Sequence, residues 1–577
     1  MERIDRASAR LGAAFAALLA LSACGGAGQL AGAGAGLDGE PVDSALGSYL
    51  AGRFARSERD TAAAAGFYED ALQEDPNNLA LLQRAFLATL AEGRMERAVE
   101  LAGRRPDGEA RGVISEMVLA VQDIRERRFE SARGRLLEKD QGGFGSMLRP
   151  IAIGWVEAGL NRPDAAVAAL GAVEERSAFS AFRSFHTALI NDFLGRTEAA
   201  DKAYRETREG GSGAPTRVFL AHASLLSRNG RTEEAAKLLD EQIERSPENA
   251  ALLHARREVA AGRPLKALIE SPAEGVAEAF FGAAGALAQD RTADASRVYV
   301  RLALYLRPKF DAAQLLLGEL MENDKRWEEA IGAFRAVPAE SPYSWEARLH
   351  VANALNRQDK SDEAAALLRA MSEERPNDTA ALVALADMLR GRDRYQQAAE
   401  VYERAMTRIS GELQERHWPL LYARGIAFER SKAWDRAEAD FLAALKLKPD
   451  QPLVLNYLGY SWVEQGKNFE RAREMIERAV AKRPNDGYIV DSLGWVLYRI
   501  GDFKGAVRQL ERAVELRPED PTINEHLGDA YWRVGRRLEA RFQWRHALAL
   551  GPDKDRVEQI AHKIDNGLAT REARNES

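Results

Sequence analysis

The chain has 577 residues, of which 46% are hydrophobic and 29% charged, and carries 81 Lys plus Arg against 88 Asp plus Glu. That length exceeds what one compact core can hold unless the chain is a repeat array. The formal charge of −7 is mild for this size, and no basic patch or stripe speaks for nucleic-acid binding. A single cysteine excludes a Cys/His metal cluster and a disulfide framework within the chain.

The first segment is residues 1–23. Arg3, Arg6 and Arg10 precede an apolar run from Leu11 to Leu21, followed by Ser22, Ala23 and Cys24. A basic start, a short apolar run and small residues predict a secretory signal peptide. The run is about half of the ~20 residues a membrane-spanning helix needs. Leu21-Ser22-Ala23-Cys24 resembles the lipobox of bacterial lipoproteins. The resemblance implies cleavage before Cys24, acylation of Cys24 and a lipid anchor as the only membrane contact. Gly25 stands where an Asp would imply inner-membrane retention, so the expected location is the periplasmic face of the outer membrane. Residues 24–42 are rich in Gly and Ala and bury nothing. They predict a flexible tether reaching roughly 20–25 Å.

Self-similarity governs the rest of the chain. The segments MERAVELA (95–102), TEEAAKLL (232–239), WEEAIGAF (327–334) and FERAREMI (469–476) share an alanine three residues after their start. That alanine recurs as Ala64, Ala98, Ala132, Ala166, Ala200, Ala235, Ala295, Ala330, Ala364, Ala398, Ala437, Ala472, Ala506 and Ala540. The steps are 34 or 35 residues, except 60 after Ala235 and 39 after Ala398. A small residue stands twelve or thirteen places earlier in every unit but one, where Phe86 intrudes. Pro449, Pro484, Pro518 and Pro552 close the second helix of the clearest units. Period and markers together resemble tetratricopeptide repeats over residues 45 to about 552. The expected fold is all-α, a superhelical solenoid of about 14–15 helical hairpins.

The breaks in period divide the array. Residues 249–261 read as a first helix, and 262–272 leave room for only a stunted second one. The expectation is an N-terminal arm over 43–272, ending in this truncated repeat, and a C-terminal arm over 273–552. Five extra residues near 410–418 predict a longer loop. Val557, Ile560, Ala561 and Ile564 fall at helical spacing and predict a capping helix within the closing segment 553–577.

No catalytic motif appears, and the eight histidines are scattered. His526 and His546 share the last unit, but polar contacts explain them better than a zinc pair. No enzyme activity, cofactor or metal is expected. In this fold the first helix of each unit lines the inner face. Among its inward places, Asn456, Tyr460, Asp491, Trp495, Tyr498, Arg499, Glu525, Asp529, Trp532 and Arg533 are the candidate partner-binding residues. Tyr460, Trp495, Tyr498 and Trp532 would form an aromatic stripe flanked by Arg and Asp, and aromatic rings and Arg are favoured at interface anchors. Asn456, Asp491 and Glu525 stand where a carboxylate-gripping array needs basic residues.

Asn456-Tyr457-Leu458-Gly459-Tyr460, Asp491-Ser492-Leu493-Gly494-Trp495 and His526-Leu527-Gly528-Asp529 resemble one group of proteobacterial repeat lipoproteins. That group includes the outer-membrane adaptor of a carboxyl-terminal processing protease. The resemblance implies a scaffold for periplasmic proteins, such as that protease and its cell-wall hydrolase substrates. A second reading is an assembly factor for an outer-membrane secretion or pilus machine.

Overall fold

A computed structural model describes residues 44–58, 60–105, 113–137, 145–173, 180–209, 214–289 and 293–568. The signal, Cys24 and the tether lie outside these residues. Every regular element among the described residues is helical. Fourteen antiparallel hairpins run from Ala45–Ser57 paired with Thr61–Glu74 to Pro521–Arg533 paired with Arg537–Ala549. A lone helix, Ala250–Ala260, interrupts them, and Lys554–Asn566 follows the last pair. No described helix is long and apolar enough to cross a membrane.

Local chemistry starts and stops these helices. Asn78, Asn249, Asp486 and Asp520 accept hydrogen bonds from amides of the first helical turn, satisfying donors that the helix itself leaves open. The turn within most hairpins contains a residue with positive φ. Gly501 at +94° and Gly535 at +86° adopt it freely, whereas Lys432 at +66° and Asp393 at +59° carry a side chain there.

Thirteen of the fourteen marker alanines are buried at 0–2% exposure. A Cβ at Gly459 or Gly528 would stand 3.1 Å from the carbonyl oxygen of Ala472 or Ala540 respectively. The paired helices therefore cross where only a small residue fits on one side and alanine on the other. Ala295 is the correction. It is only half-buried, and the marker place belongs to Ser296, fully buried with its Oγ donating to Ala284 O at 2.8 Å. The sequence register was one residue out there because a hydroxyl replaces the methyl. Phe86 does occupy a crossing place and is buried, opposite a second helix of only nine residues, Met95–Gly103.

The stunted second helix expected at 262–272 is absent. Residues 263–270 run without regular structure. Their backbone is held by the preceding repeat instead: Ser224 Oγ donates to Lys266 O at 2.6 Å, and Leu265 N donates to Ser227 Oγ at 3.2 Å.

The described residues form two compact units, one ending at Ala364 and the other beginning at Ala365. This division falls at Ala364/Ala365, while the period break that set the expected arms lies after residue 272. Helices Pro272–Gln289 and Ala293–Leu306 belong with the early repeats because they pack back onto them. Glu278 forms a buried ion pair with Arg217, at 2.5 Å from its Nε. Arg326 donates to Glu92 at 2.9 Å and to Thr61 at 2.7 Å. Arg301 donates to Ala91 O, Tyr305 donates to Gln122, and the Arg125 guanidinium lies 4.1 Å from the Tyr305 ring centroid.

Candidate functional site

In the C-terminal unit the first helices of the last four hairpins are Trp418–Arg430, Pro452–Glu464, Gly487–Ile500 and Pro521–Arg533. Close crossings at Gly459, Gly494 and Gly528 set each of the last three against its partner. Their i, i+3 and i+4 spacing brings large side chains onto the inner face.

Trp495 is the centre of that face. It is half-buried, with Tyr498 stacked on one contact (centroids 4.9 Å, 7°) and His526 of the next repeat on another (4.1 Å, 14°). Its Nε1 donates to Glu464 Oε1 at 2.6 Å, and Arg499 donates to the same oxygen at 3.2 Å. Arg533 Nε donates to Tyr498 OH at 3.3 Å. The rings are therefore fixed by neighbours on three successive repeats. Fixed aromatic surface loses little entropy when a partner covers it.

Asp491 is not open to a guest. It is buried and accepts from His526 Nδ1 at 2.9 Å. Burial opposes a charged ring at His526, but Asp491, with Asp529 and Glu525 nearby, outweighs burial and raises its pKa. Sequence reasoning left His526 out of the site. The signal available was its place beside Glu525 on an inner helix. His526 and His546 do not form a metal pair, since His546 Nδ1 meets Asn524 Oδ1 at 3.2 Å instead.

Of the other predicted site residues, Glu525 and Asp529 are buried and Trp532 is half-buried. The helix Lys554–Asn566 follows the last repeat and covers Glu525 and Asp529. Lys563 Nζ reaches Glu525 Oε1 at 2.7 Å and Asp529 Oδ2 at 2.7 Å, and Arg556 Nη2 reaches Glu525 at 2.6 Å. Trp544 Nε1 donates to Asp529 Oδ1 at 2.8 Å. Burial works against all three charges of the triad. Pairing wins at Glu525, held below its usual value, and at Lys563, held above it. Burial wins at Asp529, which is pushed up. Trp532 packs on Trp544 (5.5 Å), with Arg537 and Arg541 over its ring, and a side chain at Gly567 would run into its indole.

Tyr460 and Asn456 stand one repeat before the Trp495 stack, both half-buried. Asn456 Oδ1 is shielded from water and accepts no hydrogen bond. The open part of the predicted site thus comprises Asn456, Tyr460, Trp495, Tyr498, Arg499 and Arg533.

The N-terminal unit contrasts with this. Its inner places are covered by its own chain. Trp155, at 0% exposure, lies against Gly275, and Phe182 lies against Gly282, so closely that a Cβ at either glycine would collide with the ring. Ser224, Ser227 and Arg217 are taken by residues 265–278, and Gln122 and Arg125 by Tyr305.

Comparison with known families matches tetratricopeptide-repeat models at residues 282–344, 324–389, 381–416 and 422–487, and a TPR-repeat model at 494–535. The matched segments, all within residues 282–535, are tetratricopeptide repeats. Repeats of this kind support a protein-interaction scaffold. A TPR repeat-containing protein of Pseudomonas aeruginosa is 35% identical over 89 residues, which is 15% of this chain and 15% of that relative. Solved structures that are similar include the APC/C hetero-tetramer Cut9-Hcn1 (14% identity, TM-score 0.39, 91% of this chain and 96% of that one) and yeast Tom70 (13%, 0.29, 91% and 95%).

Proposed function

We propose that this chain is a non-catalytic adaptor that holds a protein partner on the inner face of its C-terminal unit. The observation that carries this is the half-exposed ring set Tyr460, Trp495 and Tyr498, in which Trp495 is held by Tyr498, His526 and Glu464. Such rings supply the apolar contact on which a partner's side chains can pack. Arg499 and Arg533 border the rings, while Asp491 is spent on His526.

The lipobox-like residues around Cys24 support anchoring to the outer membrane with the repeats in the periplasm. A tether and a groove together raise the local concentration of a guest without chemistry. The motif resemblance in residues 456–532 favours a carboxyl-terminal processing protease and its cell-wall hydrolase substrates as partners. Affinity capture from detergent-solubilised envelope tests this. The chain is expected to retain a processing protease, and Trp495→Ala with Tyr460→Ala is expected to weaken retention at least tenfold, the effect of losing about 1.4 kcal/mol or more at an interface anchor. Equal retention by the doubly substituted, folded protein would move the site elsewhere. Recovery of secretion or pilus components in place of a protease would favour the assembly-factor reading.

A further inference from the structure

A second group of side chains lies in the N-terminal unit, away from the ring stack. Helices Asp311–Asn323 and Ser344–Arg357 are the first helices of adjacent repeats. They bring together Glu319, Glu346 and His350, whose ligand atoms all lie within 4.8 Å of one another. Glu319 and His350 are half-buried, and Glu346 is exposed.

The imidazole is held in place by groups that do not belong to this trio. His350 Nδ1 meets Glu322 Oε2 at 2.7 Å. Asn353 Nδ2 donates to the other oxygen of Glu322 at 3.0 Å. The Phe334 ring stacks on the imidazole at 4.8 Å and 17°. A carboxylate accepting from Nδ1–H fixes the tautomer and leaves the Nε2 lone pair for a ligand, the arrangement that supports metal-bound histidines. Many carboxylates of this chain meet an arginine, yet no ion pair joins Glu319 or Glu346 to an Arg or Lys among the described residues. Glu319 and Glu346 thus bring two carboxylates beside one imidazole in a small space, and like charges brought together this way are relieved by a bound cation.

We propose that Glu319, Glu346 and His350 form a binding site for a divalent transition-metal cation of the zinc class. One imidazole nitrogen with two carboxylate oxygens suits such an ion better than Ca2+ or Mg2+, which prefer oxygen-only shells. Three protein ligands leave further coordination to water on the exposed Glu346 side. The inference does not rest on the adaptor reading, and its test needs no partner.

The test is equilibrium dialysis of the full, chelator-stripped chain against Zn2+, with Co2+ absorption as a second readout of ligation. One ion per chain is expected. His350→Ala is expected to weaken uptake about 100-fold or more, and Glu322→Gln, which frees the ring without removing a ligand, about 10- to 100-fold. Glu319→Gln gives the same answer should His350→Ala not fold, as judged by helical circular dichroism without metal. His254→Ala, on a different helix, is expected to bind as the parent does. No uptake by the parent chain, or uptake unchanged in His350→Ala and Glu319→Gln, would overturn the proposal.

Discussion

Lys563→Met is expected to destabilise the C-terminal unit by about 3–5 kcal/mol. Lys563 is the cation between Glu525 and Asp529, which are 2% and 5% exposed. Methionine keeps the aliphatic stem but leaves both carboxylates buried, with only the half-exposed Arg556 on Glu525. Removing one partner of a buried charge cluster costs far more than the cluster contributes, because the remaining charge stays desolvated. The loss should appear as a lower denaturant midpoint, with faster amide exchange in Pro521–Arg533 and Lys554–Asn566. Asp529→Asn in the same background should recover part of it by removing one stranded charge. An unchanged midpoint for Lys563→Met would mean that the closing helix does not cover the last repeat in solution.

Gly275→Ala is expected to destabilise the N-terminal unit by about 2 kcal/mol, the usual scale for overpacking a rigid site. The sign is the informative part. At an ordinary helical position this change is favourable by up to about 1 kcal/mol. Here the methyl would enter the indole of Trp155, a ring at 0% exposure that is already boxed in by His186 and Phe193. Thermal unfolding followed by tryptophan emission checks it. A stabilised Gly275→Ala protein would show that helix Pro272–Gln289 does not lie on the early repeats.

The repeat register was legible because packing demands it. A methyl at the crossing place and a small residue opposite recur at a fixed spacing, and burial at Ala64, Ala98 and Ala472 follows directly. Ser296 escaped because a hydroxyl that returns its hydrogen bond to Ala284 O packs as tightly as alanine, while Ala295 beside it mimicked the pattern. The self-covered inner face was harder to read. Arg326 and Glu92 are joined across 234 positions, and no local pattern links them. One signal was present: Pro272–Gln289 is 18 residues long and carries only two charged residues, Glu274 and Glu278, the second of which is buried against Arg217. The closing helix was legible in Val557, Ile560 and Ile564. Its consequence was not, since nothing in the spacing of the closing segment ties Lys563 and Arg556 to Glu525 and Asp529. Trp495 and Tyr498 were legible as an aromatic pair on one face, whereas the histidine that completes their stack comes from the next repeat.

The most direct measurement on the adaptor reading is site-specific photo-cross-linking in the presence of a captured partner. A photoreactive phenylalanine derivative would replace Tyr460, on the inner face, or Leu442, exposed on the second helix of its hairpin. The account predicts a partner adduct from position 460 and none from position 442. An adduct from 442 alone would contradict it.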